Sequence, residues 1–366
     1  MDYQARLDRI RSSMRKSGFD VIVITSPVDM QYIIGFACSV GTLFITADRI
    51  VLLTDYRYAR YAVAQCAHLE VLDMARDTAP DALYRRLSAD YPHPVFGFDD
   101  SAPYSLVQFF MRAAPDAAWQ PFGNLITDLR AVKDKDEIAC ISRACEITDY
   151  AFGQILSHIR PGMRELEVAI EIERLMKQGG ADQPMAYDII VASGLRSTYS
   201  HGRATNKVIE KNDVVMMDFG CKYMEYCSDF TRTIFMGHVS DRQKEVYQIV
   251  QQSRQQCMEA LAAGATNFEM DDIAKNRAAL GGYREYCGNG VGHGIGLTIH
   301  EPPLLNNTCN PDECAPLVAG NVVTVEPTLY YVPGDFGVRI EDVLCVEEKG
   351  ARKLTSSSVQ IIELGF

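Results

Sequence analysis

The chain has 366 residues, 47% of them hydrophobic and 23% charged, and its formal net charge is −12. This length favours two domains, and the acidic balance argues against a nucleic-acid binder or a protein held on anionic membranes. No run of 18 apolar residues occurs, so we predict no transmembrane helix. The N-terminus lacks a signal-peptide core, and the 11 cysteines include no CxxC pair. We therefore predict a cytoplasmic protein with reduced, mostly buried thiols.

Residues 1–128 alternate helical and strand patterns, which predicts a smaller N-terminal α/β domain with a mixed or parallel sheet. An amphipathic helix over 2–17 would bury Leu7, Ile10 and Met14. The other patterns predict strands at 20–25, 42–46, 50–54, 69–72 and 95–98, and helices near 57–66, 80–89 and 105–113. His, Cys, Asp and Glu do not cluster here at ligand spacing, so we expect this domain to cap or gate a substrate site.

Residues 129–366 favour an α+β domain, with helices packed on an antiparallel sheet. A charge-rich connector over 128–137 leads into a long helix, in which Asp134 and Glu137 have the spacing of a capping box. That helix is expected to end at Pro161-Gly162. Further helices are predicted at 165–178, about 241–263 and about 267–279.

Two aspartates mark a predicted hairpin between residues 214 and 237. Asp218 follows four apolar residues, where a carboxylate is excluded unless it is paired or binds a cation. Asp229 precedes Thr231 and Thr233 at period two and can face the same side from the neighbouring strand. Taken alone, the two residues fit equally well as solvated or backbone-capping aspartates in a turn.

His293 stands among glycines in the stretch Gly288-Asn-Gly-Val-Gly-His293-Gly-Ile-Gly. Such glycines let the backbone approach another group closely. The stretch lacks the Lys-Ser/Thr ending of a P-loop and does not follow the dinucleotide-binding pattern. A lone histidine is more often structural, so this signal is moderate by itself. His300 follows after a short apolar run.

Two glutamates occupy a second predicted hairpin, between residues 321 and 347. Glu326 follows the apolar run 322–325, and Glu341 follows Val338-Arg-Ile340. Carboxylates buried on strands require a cation. Arg339 is one candidate partner, but a single arginine cannot serve all of these carboxylates.

Considered together, these residues predict a site for two divalent metal ions, formed by Asp218, Asp229, His293, Glu326 and Glu341. Oxygen ligands with one imidazole favour Mn²⁺, Co²⁺ or Fe²⁺, with Zn²⁺ also compatible. Two such ions could share a hydroxide nucleophile and polarise a carbonyl group, which is the chemistry of amide hydrolysis.

The same stretches resemble the metallopeptidases of the pita-bread fold, which include methionine aminopeptidase, Xaa-Pro aminopeptidase and prolidase. The segments Ser26–Phe36, Leu52–Tyr58 and Ala192–Arg203 resemble the Xaa-Pro aminopeptidase and prolidase group in particular. The resemblance covers nearly the whole chain. It implies a creatinase/aminopeptidase-like pita-bread domain over 129–366 behind the α/β domain, whose loops gate the substrate and contribute dimer contacts.

By this resemblance, Asp218 and Asp229 bind the metals from one hairpin, with Asp229 bridging. His293 and Glu326 are implied to be terminal ligands of the second metal, and Glu341 to be the other bridge. The implied activity is hydrolysis of the amide bond between an N-terminal residue and proline, with proline at the second position of the peptide or dipeptide.

The resemblance also implies catalytic roles for four residues and a homodimer. Glu326 would handle the proton of the bridging water, and His201 and His300 would flank the substrate and stabilise the tetrahedral intermediate. Arg339 would orient the ligands.

Three positions depart from the usual pattern of this family, namely Asn289, Ser200 and Thr328. They affect the expected pocket shape rather than the ligands. Two other functions stay open on the same fold. One is a metal-using hydrolase or lyase of a small non-peptide substrate. The other is a non-catalytic binding protein, although such proteins typically lose the ligands that this chain keeps.

Overall fold

The structure, a computed structural model, describes residues 1–66, 68–89, 91–183, 187–306 and 315–366. The chain divides into two compact units, Met1–Arg130 and Ala131–Phe366. In the described ranges, every helix is too short or too polar to cross a lipid bilayer. The nine cysteines within those ranges are free, and all but Cys287 are buried. Cys309 and Cys314, which belong to the predicted set of thiols, lie outside the described residues.

The described part of the first unit contains a mixed six-stranded sheet in the order β4-β3-β2-β1-β5-β6. β2 runs antiparallel to β1 and β3, whereas the β3–β4, β1–β5 and β5–β6 pairs are parallel. The strands are β1 (Val21–Ile24), β2 (Gly41–Ile45), β3 (Ile50–Thr54), β4 (Glu70–Asp73), β5 (Val95–Phe98) and β6 (Ala118–Pro121). The predicted α/β architecture of this region is confirmed.

The helices of the N-terminal region bury apolar side chains, and Leu83, Leu87 and Phe110 pack with strand residues in one cluster. In α1, Leu7, Ile10 and Met14 are buried as predicted, and Gly18 ends the helix in the left-handed conformation. The helices are α1 (Tyr3–Ser17), α2 (Pro27–Ile34), α3 (Tyr56–Gln65), α4 (Pro80–Ser88), α5 (Tyr104–Ala113) and α6 (Leu125–Ala131). The prediction missed α2, β6 and α6 because each is short and has little apolar periodicity.

The long helices of the second unit begin at side-chain caps. Asp134 and Glu137 form the predicted capping box at the start of α7. Among the described residues, the α-helices of this region are α7 (Lys135–Ile155), α8 (Glu165–Gly179), α9 (Asp241–Ala260) and α10 (Asn267–Leu280). α7 ends before the predicted Pro161, because tighter turns at Ser157 and His158 replace its last helical hydrogen bonds.

The strands of the second unit pair antiparallel throughout the described residues, which confirms the predicted α+β architecture. One sheet has the order β11-β8-β7, a larger one β13-β12-β14-β17-β18, and two ribbons pair β9 with β10 and β15 with β16. The first group is β7 (Ile190–Ser193), β8 (Val214–Asp218), β9 (Lys222–Tyr223), β10 (Tyr226–Cys227) and β11 (Thr231–Phe235). The second is β12 (Gly292–Gly294), β13 (Glu301–Leu305), β14 (Val322–Val325), β15 (Thr328–Val332), β16 (Phe336–Arg339), β17 (Asp342–Val346) and β18 (Ala351–Lys353).

Candidate metal centre

Two carboxylates of the predicted centre come from the hairpin of β8 and β11. Asp218 ends β8 and pairs with Thr231, the first residue of β11, and Asp229 lies just before that strand. Both aspartates are buried. The hydroxyl of Tyr187 donates a hydrogen bond to Oδ1 of each aspartate, over 2.6 Å in the case of Asp229. This shared donor holds the two carboxylates together at one end of the hairpin.

The other two carboxylates lie where a second long hairpin breaks. β14 pairs with β17 as far as Val325 and Asp342, and β15 pairs with β16 from Thr328 onward. Glu326 and Glu341 fall between these two ladders and belong to neither. Because a break in pairing releases a residue from strict alternation, both side chains can turn toward the same point.

Glu341 is enclosed on all sides, with a relative exposure of 1%. Its Oε2 accepts a hydrogen bond of 2.7 Å from the Thr231 hydroxyl, whereas its Oε1 has no partner among the described residues. Burial and the charges of Asp229, Glu326 and Asp218 raise the pKa of Glu341 well above its ordinary value. A buried carboxylate oxygen without a donor is costly, and a bound cation removes that cost.

His293 enters the centre from β12, at a bulge between His293 and Gly294. Its Nε2 lies 3.4 Å from Oδ2 of Asp229 and 3.4 Å from Oε1 of Glu326. Burial by itself lowers the pKa of His293. The hydrogen bond to Asp229 and the charges of both carboxylates outweigh burial and raise this pKa to about 9. The His293 imidazole is therefore positioned as an ion-pair partner of Asp229 and Glu326.

The glycines beside His293 allow its strand to pack closely against both neighbours. A Cβ atom on Gly292 would lie 2.0 Å from the carbonyl oxygen of Thr324 in β14. A Cβ atom on Gly294 would lie 2.4 Å from the carbonyl oxygen of Pro302 in β13. Both distances are far below van der Waals contact, so these positions require glycine. The close backbone approach predicted from these glycines is thus made to the two neighbouring strands, β14 and β13.

Arg339 is the buried cation of the centre. Its guanidinium donates hydrogen bonds to Oδ2 of Asp218, to the Tyr330 hydroxyl at 2.5 Å and to the Thr231 hydroxyl at 3.1 Å. Burial is the largest influence on the pKa of Asp218 and raises it to about 6 against the opposing charge of Arg339. The guanidinium is therefore committed to Asp218, whereas Asp229 and Glu326 face His293.

Two further histidines line the opening of the site. His201 lies in a turn after a short 3₁₀ helix, Gly194–Thr198, and His300 directly precedes β13. The ring centroids of His300 and His293 are 4.3 Å apart. Partial burial, together with the positive charge of His293, lowers the pKa of His300. The His300 imidazole is thereby kept neutral and able to donate one hydrogen bond.

The predicted residues, although distant in sequence, share one cavity of about 1230 Å³ in the second unit. Ligand atoms of Asp229, His293 and Glu341 all lie within 4.8 Å of one another. The lining of the same cavity includes Asp218, Glu326, His201, His300 and Arg339. The structure therefore brings together every residue that the sequence singled out for this centre.

Family profiles match both units of the chain. The profile of metallopeptidase family M24 matches residues 139–348, and that of the creatinase/prolidase N-terminal domain matches residues 6–132. The chain belongs to metallopeptidase family M24. Membership of family M24 makes it a metal-dependent peptidase by class. It also confirms the predicted fold, a pita-bread domain preceded by a smaller α/β domain.

Several similar proteins align with the chain over almost their whole length. The chain is 36% identical to the uncharacterized peptidase YqhT of Bacillus subtilis, covering 98% of this chain and 100% of the relative. It is 35% identical to the Xaa-Pro dipeptidase of Pyrococcus furiosus, covering 98% and 99%. Among solved structures, the Xaa-Pro dipeptidase from Bacillus anthracis has a TM-score of 0.91 at 38% identity, covering 99% and 100%. The prolidase from Pyrococcus horikoshii has a TM-score of 0.89 at 33% identity, covering 98% and 100%.

The donor set fits the divalent metal ions that family M24 uses. Carboxylates and one imidazole converge, thiolates are absent from the cluster, and the nearest guanidinium is already paired. Such oxygen-rich sets suit Mn²⁺, Co²⁺ or Fe²⁺ and also accept Zn²⁺. The unpartnered Oε1 of Glu341 and the raised pKa of Asp218 both indicate that a positive charge belongs between these side chains.

Sequence analysis assigned no role to three residues that organise the centre, namely Tyr187, Thr231 and Tyr330. Tyr187 contacts aspartates more than thirty positions away in sequence, and no local pattern distinguishes it from other tyrosines. Tyr330 belongs to an ordinary strand pattern. The period-two pattern does place Thr231 on the face of Asp229, and on that side its hydroxyl contacts Glu341, a partner that the pattern does not reveal.

Proposed function

We propose that this chain is an Xaa-Pro aminopeptidase or dipeptidase, which hydrolyses the amide bond between an N-terminal residue and proline. The observation that carries the proposal is the convergence of Asp229, His293 and Glu341 in one cavity with two further histidines. Similar proteins described as Xaa-Pro dipeptidases, which match this chain from end to end, support the choice of substrate.

Two divalent metal ions would be held at this centre, with Mn²⁺ as our first candidate. The residues that would hold them are Asp218, Asp229, His293, Glu326 and Glu341. When bound, such ions supply Lewis acidity to the scissile carbonyl and lower the pKa of water. The protein keeps the ligands in place through the hydrogen bonds from Tyr187, Thr231 and Arg339.

Proton transfer is assigned to Glu326. Its side chain is 24% exposed, more than those of Asp229 and His293, and its carboxylate lies 3.4 Å from the His293 imidazole. A carboxylate that borders both the centre and the solvent can accept the proton of the attacking water and pass it to the leaving amine.

His201 and His300 are assigned to the carbonyl oxygen of the substrate. His201 and His300 line the cavity beside the proposed ligands. Imidazole N–H groups aimed at this oxygen would stabilise the negative charge that develops there during attack. Arg339 would act indirectly, because its guanidinium holds Asp218 in position.

Other parts of the proposal concern the whole protein. We propose that the N-terminal unit, predicted over 1–128, gates the substrate site, and that the protein works as a homodimer in the cytoplasm. Its expected partner is a peptide with proline at the second position, rather than nucleic acid or a membrane, in keeping with the net charge of −12.

The proposal is tested with protein stripped by a chelator and then reloaded with Mn²⁺ or Co²⁺. Reloaded protein should release free N-terminal residues from Xaa-Pro dipeptides or Xaa-Pro-Yaa tripeptides, and stripped protein should not. Matched Xaa-Ala peptides measure whether proline is required. Absence of metal-dependent release from every Xaa-Pro substrate would refute the proposal.

A matched pair of variants ties the activity to the cavity. Asp229→Asn should abolish metal-dependent release, because it removes a charge from the centre. Asp241→Asn changes an exposed residue in the first turn of α9 and should retain full activity. Equal activity of the two variants would place the reaction elsewhere.

A further inference from the structure

A fully buried carboxylate outside the metal centre lies beneath the segment that presents His201. Glu165 is the first residue of α8 and has a relative exposure of 0%. Its Oε1 accepts hydrogen bonds from the amide of Ser193 at 2.8 Å and from the Ser193 hydroxyl at 2.9 Å. Its Oε2 accepts from Nε of Arg196 at 3.0 Å and from the amide and hydroxyl of Thr205 at 3.1 and 2.7 Å.

The donors to Glu165 lie on both sides of His201 in the sequence. Ser193 ends β7 and Arg196 lies in the 3₁₀ helix, both before the histidine, whereas Thr205 follows it. Arg196 also donates a hydrogen bond of 2.6 Å to the carbonyl oxygen of Arg203. One carboxylate thus binds both flanks of the turn that carries His201, residues 193–196 before it and Thr205 after it. These two flanks are its arms.

The turn that carries His201 has few internal restraints of its own. Its backbone hydrogen bonds run from the amide of Gly202 to Tyr199 and from the amide of Arg203 to His201. From outside the turn, Nη1 of Arg339 donates a hydrogen bond of 3.3 Å to the carbonyl oxygen of Ser200. His201 itself is exposed at the cavity. The position of its imidazole therefore depends on the Arg339 contact and on how the two arms are held.

We propose that Glu165 is a positioning residue that sets the place of His201 in the cavity. The inference rests on the proposed function in so far as His201 acts on the substrate. A carboxylate is needed because both of its oxygens meet N–H and O–H donors. A glutamine would direct its own N–H groups at one set of those donors, so that arm of the segment would move away.

The first test is a double-mutant cycle that combines Glu165→Gln with His201→Ala. In the wild-type background, Glu165→Gln should lower kcat by about 10- to 100-fold with a smaller change in KM, because small misplacements cost this much. In the His201→Ala background it should cause no further loss. A loss of equal size in both backgrounds would overturn the proposal, because Glu165 would then act independently of His201.

Glu167→Gln serves as the matched control. Glu167 lies on the same first turn of α8, is exposed, and accepts a hydrogen bond from the Arg164 amide in the helix cap. The same chemical change at this position should leave kcat unchanged. If it reproduces the loss seen with Glu165→Gln, the effect belongs to the helix terminus and the proposal fails.

The second test observes the His201 side chain by NMR and does not depend on catalysis. In protein labelled with ¹⁵N and ¹³C at histidine, the ring resonances of His201 are assigned from the His201→Ala variant. Glu165→Gln should shift these resonances and leave those of His238 in place, and Glu167→Gln should shift neither. Unchanged His201 resonances would overturn the proposal.

The two tests also separate this inference from the proposed function. If the wild-type protein cleaves no Xaa-Pro peptide, the proposed function fails, and the NMR comparison still decides whether Glu165 places His201. If Glu165→Gln does not fold, Thr205→Val removes a single hydroxyl donor to the same carboxylate. That variant should give the same pattern with a smaller loss, and a wild-type kcat and spectrum would count against the proposal.

Discussion

Thr231 supports two members of the metal centre through one hydroxyl group. It donates a hydrogen bond to Glu341 and accepts one from Nε of Arg339, which in turn holds Asp218. The carboxylates themselves could be predicted because they interrupt apolar runs, where an acidic side chain is costly. Their supporting hydroxyls could not, because threonine and tyrosine are ordinary in strands and only the fold shows what they contact.

Thr231→Val should weaken metal binding without unfolding the protein. The change removes the donor to Glu341 and keeps the shape of the side chain, so affinity for Mn²⁺ should fall about 10- to 100-fold. Isothermal titration calorimetry of chelator-stripped protein measures the effect. Thr233→Val is the control, since Thr233 lies on the same strand and bonds the main chain of Arg339. Equal Mn²⁺ affinity in the two variants would show that the Thr231 hydroxyl does not support the metal ligands.

Metal removal should lower the free energy of unfolding. Crowded carboxylates such as Glu341 repel one another when no cation lies between them. A metal at 100 times its dissociation constant adds about 2.7 kcal/mol to the stability of the folded state. Thermal unfolding with and without Mn²⁺ measures this gain, which Glu341→Gln should largely abolish. Identical melting curves for the stripped and the loaded wild-type protein would contradict the expectation.

At the scale of elements, the proposed ligands cluster at interruptions of strands. Glu326 and Glu341 lie between two ladders of one hairpin, and His293 lies at a bulge. The apolar runs predicted the hairpins correctly. The breaks were not predictable, because they arise where β15 and β16 leave the larger sheet to pair with each other, and that choice depends on distant partners.

The same hairpins are joined behind the centre by a buried ion cluster. Asp342 accepts hydrogen bonds from Arg232 at 2.9 Å, from Arg254 and from the Thr355 hydroxyl. Burial tends to raise the pKa of Asp342, but the two arginines and Lys353 outweigh it and lower the pKa below the ordinary value of 3.8. The cluster therefore stabilises β17 against β11 and α9 while Asp342 stays ionised.

Asp342→Asn should destabilise the protein by about 3–5 kcal/mol, because it leaves buried arginines without their counter-charge. The folded pKa lies below the unfolded one, so the contribution of Asp342 is complete above pH 3.8 and is lost as the pH falls below that value. Urea unfolding of metal-free wild-type and variant protein should show the difference shrinking only in that acidic range. Glu347→Gln, which breaks an exposed pair with Arg352, should change stability little at any pH.

At the scale of the whole molecule, alternation of helix and strand patterns predicted an α/β region followed by an α+β region. Both architectures are confirmed, because each depends on period and order along the chain. The strand order β4-β3-β2-β1-β5-β6 was not predicted. Pairing between strands that are not consecutive is decided by packing across the sheet, which a single sequence does not display.

The size of the cavity bears on the length of the substrate. Its volume of about 1230 Å³ exceeds the roughly 300–1,000 Å³ typical of small-molecule sites. We therefore expect Xaa-Pro-Yaa tripeptides to be hydrolysed as well as Xaa-Pro dipeptides. Competition between the two in one reaction, followed by mass spectrometry, gives the ratio of their kcat/KM values. Turnover of dipeptides alone would show that part of this space is closed to peptide.

Buried cysteine thiols in each unit can report when the structure around them unfolds. Cys38 and Cys66 are enclosed in the first unit, and Cys145, Cys221 and Cys257 in the second. An alkylating reagent can reach such sulfurs only when the surrounding structure transiently unfolds. Pulsed alkylation followed by peptide mass mapping would thus reveal which unit opens first under rising denaturant. The cysteines that carry no catalytic assignment in this chain become its most convenient intrinsic probes.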